Sequence, residues 1–354
     1  MPVSRRFFIA SPPLLAMSAV GESVRLPKPV RCAVLGTVGH NSLLYDVLPR
    51  VEGLAITAVA EASPARLDRA RKSPHHARAS FYSDWRQMLR REELDMVMVG
   101  NDNGARAEAL LACAARGLHC FAEKPVALNL EDLDRVNEAF SDHGGKPRLG
   151  CMLKMRTEPW ALAIRDMVRS GALGQVIHVD SQKSYKYANQ DDWKKSRASF
   201  GGTIQWIGID MVDLMMWVTG QRFTPAGAHQ AQIGMDAELG SMENTAAALF
   251  RMEGGGTATV RLDYLRSPKA PTHGDDRLRV AGTKGIAEWS DATGLRLQTA
   301  ASAPAEIKDL PSEKSVALEF LKSTFLGAAP FVSQQEIIAA TRATLEAAAL
   351  ARRS

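Results

Sequence analysis

Four short apolar runs in the first 122 residues restrict this chain to a doubly wound α/β fold. They are VRCAVL (Val30 to Leu35), LAITAVA (Leu54 to Ala60), DMVMV (Asp95 to Val99) and HCFA (His119 to Ala122). Such runs are typical of strands buried on both faces, and helix-like stretches such as Ala105 to Arg116 separate them. Strands covered on both sides and joined by helices pair in parallel, so the pattern predicts a Rossmann-type sheet.

The first run ends in Gly36-Thr37-Val38-Gly39-His40-Asn41 before the helix-like LLYDVL. Glycine lets a tight turn adopt dihedrals closed to other residues, and free amides at a helix start can hold a pyrophosphate. Gly36, Val38, Gly39, His40 and Asn41 are therefore candidate cofactor residues, although Val38 and Asn41 occupy the second and third glycine slots of the usual G-x-G-x-x-G. Glu61 closes the second run, 25 positions after Gly36. A carboxylate there accepts from ribose hydroxyls and repels the extra phosphate of NADP, which favours NAD.

Glu123, Lys124 and Pro125 follow the fourth run, at the carboxyl end of its strand. Ligands of doubly wound sheets bind at that end, so this loop and Asn101-Asp102-Asn103 should border the cofactor crevice. Asn101, Asn103, Glu123 and Lys124 join the cofactor candidates. Lys124, stiffened by Pro125, can orient a substrate hydroxyl or exchange its proton; a solvated loop lysine is the plain alternative.

At this point the chain resembles the family of glucose-fructose oxidoreductase, inositol dehydrogenase and the rhizopine-catabolism protein (Gfo/Idh/MocA). The carriers are the glycine turn, Glu61, Asn103, the string AEKP, the helix exit RSGALG (Arg169 to Gly174) and the helix in GGTIQWIGIDMVDLMMWVTG. The resemblance covers nearly everything after Val30. It implies a Rossmann domain followed by an α/β domain with a large open sheet, NAD or NADP, and hydride transfer on sugars, cyclitols or related polyols. Members often carry an aspartate and, four residues later, a histidine in the helix at about Thr203 to Val218, where this chain has Trp206 and Asp210. Residues four apart stack on one helical face, so both should point toward the active site. Asp210 is the candidate base, but an unperturbed aspartate pKa of about 3.9 suits that role poorly unless burial raises it. Trp206 either stacks on an apolar sugar face or belongs to the core. Asp213, which matches another family aspartate, is expected to be a structural hydrogen-bonding group.

The segment QVIHVDSQKSYK (Gln175 to Lys186) opens with strand alternation, so Lys183 and Tyr185 share one face and Gln182, Ser184 and Lys186 the other. The resemblance puts this strand and Arg156 near the substrate, which makes Arg156, Lys183, Tyr185 and Trp206 the candidate substrate binders. His273 is a further loop candidate.

The organisation expected is an export signal and linker over 1–28, a Rossmann domain over 29–148 and a substrate and oligomerisation domain over 149–354. Arg5 and Arg6 precede Phe7-Phe8 and an apolar stretch ending in small residues, which looks like a twin-arginine signal for periplasmic export, a cytoplasmic protein with a basic tail being the alternative. That stretch is too short to span a bilayer and is broken by Pro12-Pro13, so no stable membrane insertion is expected. In the second domain, Pro159 opens a helix, Glu253-Gly254-Gly255-Gly256 and RLRVAGTKGIAEWS signal hairpins of a mainly antiparallel sheet, and Ser333 with Glu336 forms a capping box for the last helix.

The net charge is +5, but four cations against Glu22 in residues 1–28 leave only +2 for the rest, and nothing points to nucleic acid. Cys32, Cys113, Cys120 and Cys151 lack metal spacing and read as buried thiols, so no metal site is expected. The expected partner is a small carbohydrate or polyol, with self-association left open. Two other functions fit the same residues: a glycoside-cleaving enzyme that uses NAD transiently, and a sensor that binds NAD without turnover.

Overall fold

The computed structural model describes residues 22–141, 147–187, 192–234 and 239–352. Arg5, Arg6 and the rest of the expected export signal up to Gly21 lie outside them. Six strands, β1 (Val24–Leu35), β2 (Val51–Ala60), β3 (Ser80–Tyr82), β4 (Met96–Val99), β5 (His119–Ala122) and β6 (Leu149–Cys151), form a parallel sheet in the order β3-β2-β1-β4-β5-β6. The order reverses between β1 and β4, and the crevice at a reversal is where such sheets bind ligands.

Helices cover both faces. Alternate strand residues feed two cores: Ala33 and Leu35 pack with helices α3 (Trp85–Arg91), α4 (Arg106–Ala115) and α5 (Leu130–Phe140), and Cys32 and Val34 pack on the opposite side. The first connection is shorter than LLYDVL suggests. Helix α1 (Ser42–Tyr45) stops after one turn, because Pro49 has no N–H to give to the Tyr45 carbonyl, and Leu48–Arg50 continues as a 3₁₀ turn. Helix α2 (Pro64–Arg71) follows β2.

The second sheet runs β14-β13-β12-β11-β7-β10-β9-β8. Its strands are β7 (Val176–Tyr185), β8 (Phe223–Ala231), β9 (Thr245–Met252), β10 (Thr257–Asp263), β11 (Gly274–Gly282), β12 (Gly285–Ser290), β13 (Gly294–Thr299) and β14 (Ser302–Glu306). Every neighbouring pair is antiparallel except β7 with β10, and both expected hairpins are present. Helices α6 (Pro159–Arg169), α8 (Ile209–Thr219) and α10 (Gln334–Ala351) bury one face of this sheet, while Ile177 and Leu249 are exposed. Between β7 and α8 lies the short helix α7 (Arg197–Phe200), and α9 (Val316–Phe325) precedes α10. The capping box at Ser333 is formed, and all four cysteines are free and buried.

Three boundaries differ from those drawn on the sequence. Val24 and Leu26 are buried and Arg25 pairs with Glu52, so residues 24–28 extend β1 rather than a linker, with a register shift at the stretch holding Pro27 and Pro29. Leu149 opens no new domain: β6 is the edge strand of the first sheet, paired with β5. The C-terminal helices also return to that sheet. Val316, Leu321 and Phe320 of α9 join its core, with Phe320 stacked 5.3 Å from Phe121, and Ile337 of α10 joins the other side.

Removing the Phe320 ring should therefore loosen the first sheet. Phe320→Ala is expected to lower the unfolding free energy by about 3–5 kcal/mol in urea titration. A loss under about 1 kcal/mol would show that α9 contributes no core there.

Candidate active site at the strand-order reversal

Gly36 and Gly39 shape the turn after β1, at φ of 79° and 83°. A Cβ on Gly36 would sit 2.5 Å from the Asn101 backbone, and one on Gly39 would sit 2.8 Å from Glu123 Oε1. Both positions thus require glycine for space as well as for dihedral angle. The turn is braced from both neighbouring strands: Gly36 N donates to Ala60 O at 2.7 Å, Thr37 N to Glu61 Oε2 at 2.9 Å and Val38 N to Gly100 O at 3.0 Å. Asn41 is buried and donates from Nδ2 to Gly36 O at 3.2 Å, so in the third glycine slot it closes the turn. Among the described residues the Gly39 and His40 amides make no backbone hydrogen bond, which leaves them for an anion.

Glu61 is buried and held by its neighbours. Thr37 N and Thr37 Oγ1 (2.8 Å) donate to Oε2, while Ser63 N (2.8 Å) and the Arg66 guanidinium (3.1 Å) approach Oε1. Burial pushes its carboxyl up, but Arg66 and the Ser63 and Thr37 bonds outweigh it, and the net displacement is downward. A pocket of about 210 Å³ opens beside it, lined by Gly36, Val38, Glu61, Arg66, Asn101 and Trp193 among others. Both polar atoms of the Asn101 amide and the indole N–H of Trp193 are buried there without a partner. Buried polar groups are seldom left unpaired, so these atoms and the two glycines suit a dinucleotide.

The AEKP loop meets the second domain. The Lys124–Pro125 peptide is cis. Glu123 is fully buried, with Oε1 2.6 Å from His40 Nδ1 and Oε2 unpartnered. Lys124 is only 2% exposed, and its Nζ donates to Trp206 O at 2.6 Å and Asp210 Oδ2 at 3.1 Å, 4.1 Å from the Trp206 ring centroid. Trp206 and Asp210 thus face the same group, as their spacing predicts. The stretch Ile204–Gly208 is a π-helical turn running into α8, and the Trp206 carbonyl in it accepts the lysine hydrogen bond. Trp206 packs with Phe200 and Trp193 and stacks 6.5 Å from His40.

Behind Asp210 stand two residues of the second sheet. Lys183 of β7 lies opposite Asp276 of β11 and donates to its Oδ2 at 2.8 Å, with Asp210 Oδ2 3.7 Å away. Burial pulls Lys183 down, but Tyr185, Asp210 and Asp276 outweigh it and the net displacement is upward. Tyr185 lies beneath the Lys183 ammonium, 4.9 Å from ring centre to Nζ, against His273, and burial pushes its phenol up to about 12. Burial likewise pushes the Asp210 carboxyl up, yet Lys124, Lys183 and His40 more than reverse this and hold it below the ordinary range. The rise that would fit Asp210 as a free base is absent.

Two expected site residues have other duties. Arg156 is 1% exposed and bound through Nε (2.7 Å) and Nη2 (2.5 Å) to Asp213, with Nη1 3.1 Å from Glu336 of α10. That arginine locks α8 to the C-terminal helix, and Asp213 is the hydrogen-bonding group expected of it. Asn103 is engaged within the protein: Nδ2 donates to Phe200 O at 2.8 Å and Oδ1 accepts from Arg106 at 2.6 Å. Arg106 itself went unnoticed in the sequence. It is wholly buried, pushed down to about 10 by burial, and clamps the two ligand loops by donating to Asn101 O, Lys124 O (3.2 Å) and Pro125 O (2.8 Å).

Residues 30–150 match the oxidoreductase family with an NAD-binding Rossmann fold, and residues 161–288 match a GFO/IDH/MocA C-terminal domain. The chain belongs to the Gfo/Idh/MocA oxidoreductase family. An inositol 2-dehydrogenase of Salmonella typhimurium (strain LT2) is 23% identical to it over 283 residues, 77% of this chain and 78% of that one. A glycosyl hydrolase family 109 protein of Bacteroides fragilis (strain YCH46) is 23% identical over 322 residues, 79% and 73% of the two chains. The solved structure of a Thermotoga maritima protein described as an oxidoreductase superposes with a TM-score of 0.85 at 29% identity, over 91% of this chain and 98% of that one.

In this Gfo/Idh/MocA chain the Arg156–Asp213–Glu336 cluster is structural, which separates it from the Lys124–Asp210 pair one turn away. Arg156→Ala leaves the Asp213 carboxylate buried without its partner and is expected to cost about 3–5 kcal/mol in urea unfolding. NAD affinity of the folded fraction should stay unchanged by calorimetry. A stable Arg156→Ala protein with a raised substrate KM would instead return Arg156 to the binding site.

Proposed function

We propose that the protein moves a hydride between a CH–OH group of a sugar, cyclitol or related polyol and the nicotinamide of NAD. One observation carries this reading. An ammonium has three N–H donors; Lys124 spends two on Trp206 O and Asp210 Oδ2, and the third remains for a substrate hydroxyl at the crevice where the cofactor fits. The similarity to an inositol 2-dehydrogenase supports a polyhydroxylated ring as substrate. When bound, the nicotinamide accepts the hydride from the carbon that bears the hydroxyl.

Gly39, His40 and Asn101 would hold the cofactor, with Gly36 and Val38 lining its path and Glu61 at the ribose. Lys124 orients the reacting oxygen; as the neutral amine it takes the hydroxyl proton during oxidation, and as the ammonium it returns that proton during reduction. Asp210, a carboxylate held low between two ammonium groups, is too weak an acceptor to take that proton alone; it holds the Lys124 side chain in place. The Trp206 face beside Lys124 suits the C–H side of a sugar ring. Similarity to the family 109 glycosyl hydrolase supports a second reading, in which the oxidation is transient: it acidifies the neighbouring carbon, allows elimination, and the hydride returns. NADH accumulates under the first reading and not under the second. NAD binding without turnover of any polyol or glycoside would leave the sensor function.

Lys124→Ala is expected to lower kcat about 10²–10⁴-fold while shifting NAD affinity by no more than about threefold. Equal falls in both would make Lys124 a cofactor ligand only. Because the Asp210 carboxyl is depressed, its stabilising charge is fully present above the unfolded aspartate value of about 3.9 and is lost only as pH falls through the lower folded value, so Asp210 gives turnover no acid limb between pH 7 and about 5. An acid limb in that window that disappears in Asp210→Asn would contradict this.

The anionic Glu61 supports NAD over NADP, and calorimetric titration of both cofactors decides it. Tighter NADP binding would assign Arg66 to the added phosphate. Export rests on Arg5 and Arg6; replacing both with lysine should retain the protein in the cytoplasm on fractionation, and unchanged periplasmic recovery would reject the twin-arginine route.

A further inference from the structure

Lys124 and Asp210 are two links of a longer buried chain. From the ligand crevice inward the order is Lys124 Nζ, Asp210 Oδ2 at 3.1 Å, Lys183 Nζ at 3.7 Å and Asp276 Oδ2 at 2.8 Å, with the sign alternating at every step. The links come from four elements: the loop after β5, helix α8, and strands β7 and β11. Lys183 and Asp276 stand directly opposite each other in the β7–β11 ladder, so backbone pairing fixes their separation. Period-two alternation puts Lys183 on the inward face with Val179 and Ser181, and Asp276 on the same layer as Leu278 and Val280. Charges on an inward sheet face are costly, and here they are retained next to the reactive pair.

We propose that Lys183 and Asp276 are positioning residues for hydride transfer: Asp276 anchors the Lys183 ammonium, which in turn holds Asp210 as a fixed anion against Lys124. This rests on the reading of Lys124 as the group at the reacting oxygen. Two cations share one carboxylate oxygen, so while Lys124 is the neutral amine that takes the hydroxyl proton during oxidation, Lys183 still neutralises Asp210 and the carboxylate does not compete for that proton. Asp210 stands where the resemblance puts a histidine, and its second cation, Lys183, with the acid that anchors it, Asp276, comes from the sheet behind the helix. The titratable groups facing Asp210 are Lys124, His40 of the glycine turn, Lys183 and Tyr185 of β7, Asp276 of β11, Tyr264 after β10 and Asp213 on its own helix. Among the lysines facing it, only Lys183 is also paired to a second carboxylate.

The test uses the full chain saturated with NAD. Aspartate-labelled protein is followed by carboxyl carbon NMR from pH 8 to 5, with the Asp210 signal assigned from Asp210→Asn. The parent should show no Asp210 step in that window, whereas Lys183→Met, which removes a charge 3.7 Å away, should raise its midpoint by about 1–3 units and bring the step into view. Lys183→Arg keeps the charge and should leave the window empty. Turnover on a cyclitol should fall about a hundredfold in Lys183→Met and by less in Asp276→Asn, with substrate KM and NAD affinity near those of the parent, and Lys183→Arg should recover most of the loss. If Lys183→Met does not fold, Lys183→Met/Asp276→Leu replaces the pair by apolar groups and takes its place. No Asp210 step in the charge-free variant, or a step with turnover unchanged, overturns the proposal. A parent that turns over no polyol removes the proposed function instead, while the NMR step still decides whether Lys183 governs Asp210.

Discussion

A buried ammonium needs acceptors, and the crevice of this protein is organised around supplying them to Lys124. The loop that carries it leaves a parallel strand of the first sheet, yet its two acceptors, the Trp206 carbonyl and the Asp210 carboxylate, belong to the helix of the second domain. The contact is therefore a tie between domains as well as a reactive group. Arg106 fixes the other side: one wholly buried guanidinium takes carbonyls from the Asn101 loop and from Lys124 and Pro125, so the cofactor loop and the lysine loop cannot move independently.

Helix α8 carries two acids three residues apart, and the fold gives them separate partners. Asp210 turns to the lysines; Asp213 turns to Arg156 and through it to Glu336 of the last helix. Breaking either pair strands a charge in the interior, a cost of several kcal/mol that exceeds the worth of any surface ion pair. The second pair holds the helix that presents the first. Rigid support of this kind is what a proton-exchanging group requires, since a displacement of about 1 Å can cost a hundredfold in rate.

How much of this was legible in the sequence depended on whether the signal was local. Strands of the first sheet announce themselves as apolar runs, Gly36 and Gly39 mark the turn, and the AEKP string marks the lysine loop. The two hairpins of the second sheet are equally local. The pairings of Arg156 and Asn103 were not legible because they are tertiary: Asp213 is 57 positions from Arg156, and Phe200 is 97 from Asn103. Leu149–Cys151 is three residues long, too short for periodicity to assign it to a sheet. The π-helical turn at Trp206 has no sequence signature either. Asp276 did leave one, an acid in phase with Leu278 and Val280; His273, just before its strand, is exposed and packs at a tilt against Tyr185. Glu61 was readable as the acid that closes β2, while its pairing with Arg66 was not.

The direct measurement is a structure of the protein with NADH and a bound cyclitol or sugar. The account predicts a ring hydroxyl within about 3 Å of Lys124 Nζ, its carbon facing the nicotinamide, and Asp210 still bonded to the same ammonium. A substrate whose reacting carbon lies at the nicotinamide with no oxygen in reach of Lys124, or a Lys124 that leaves Asp210 to contact only the cofactor, would contradict it.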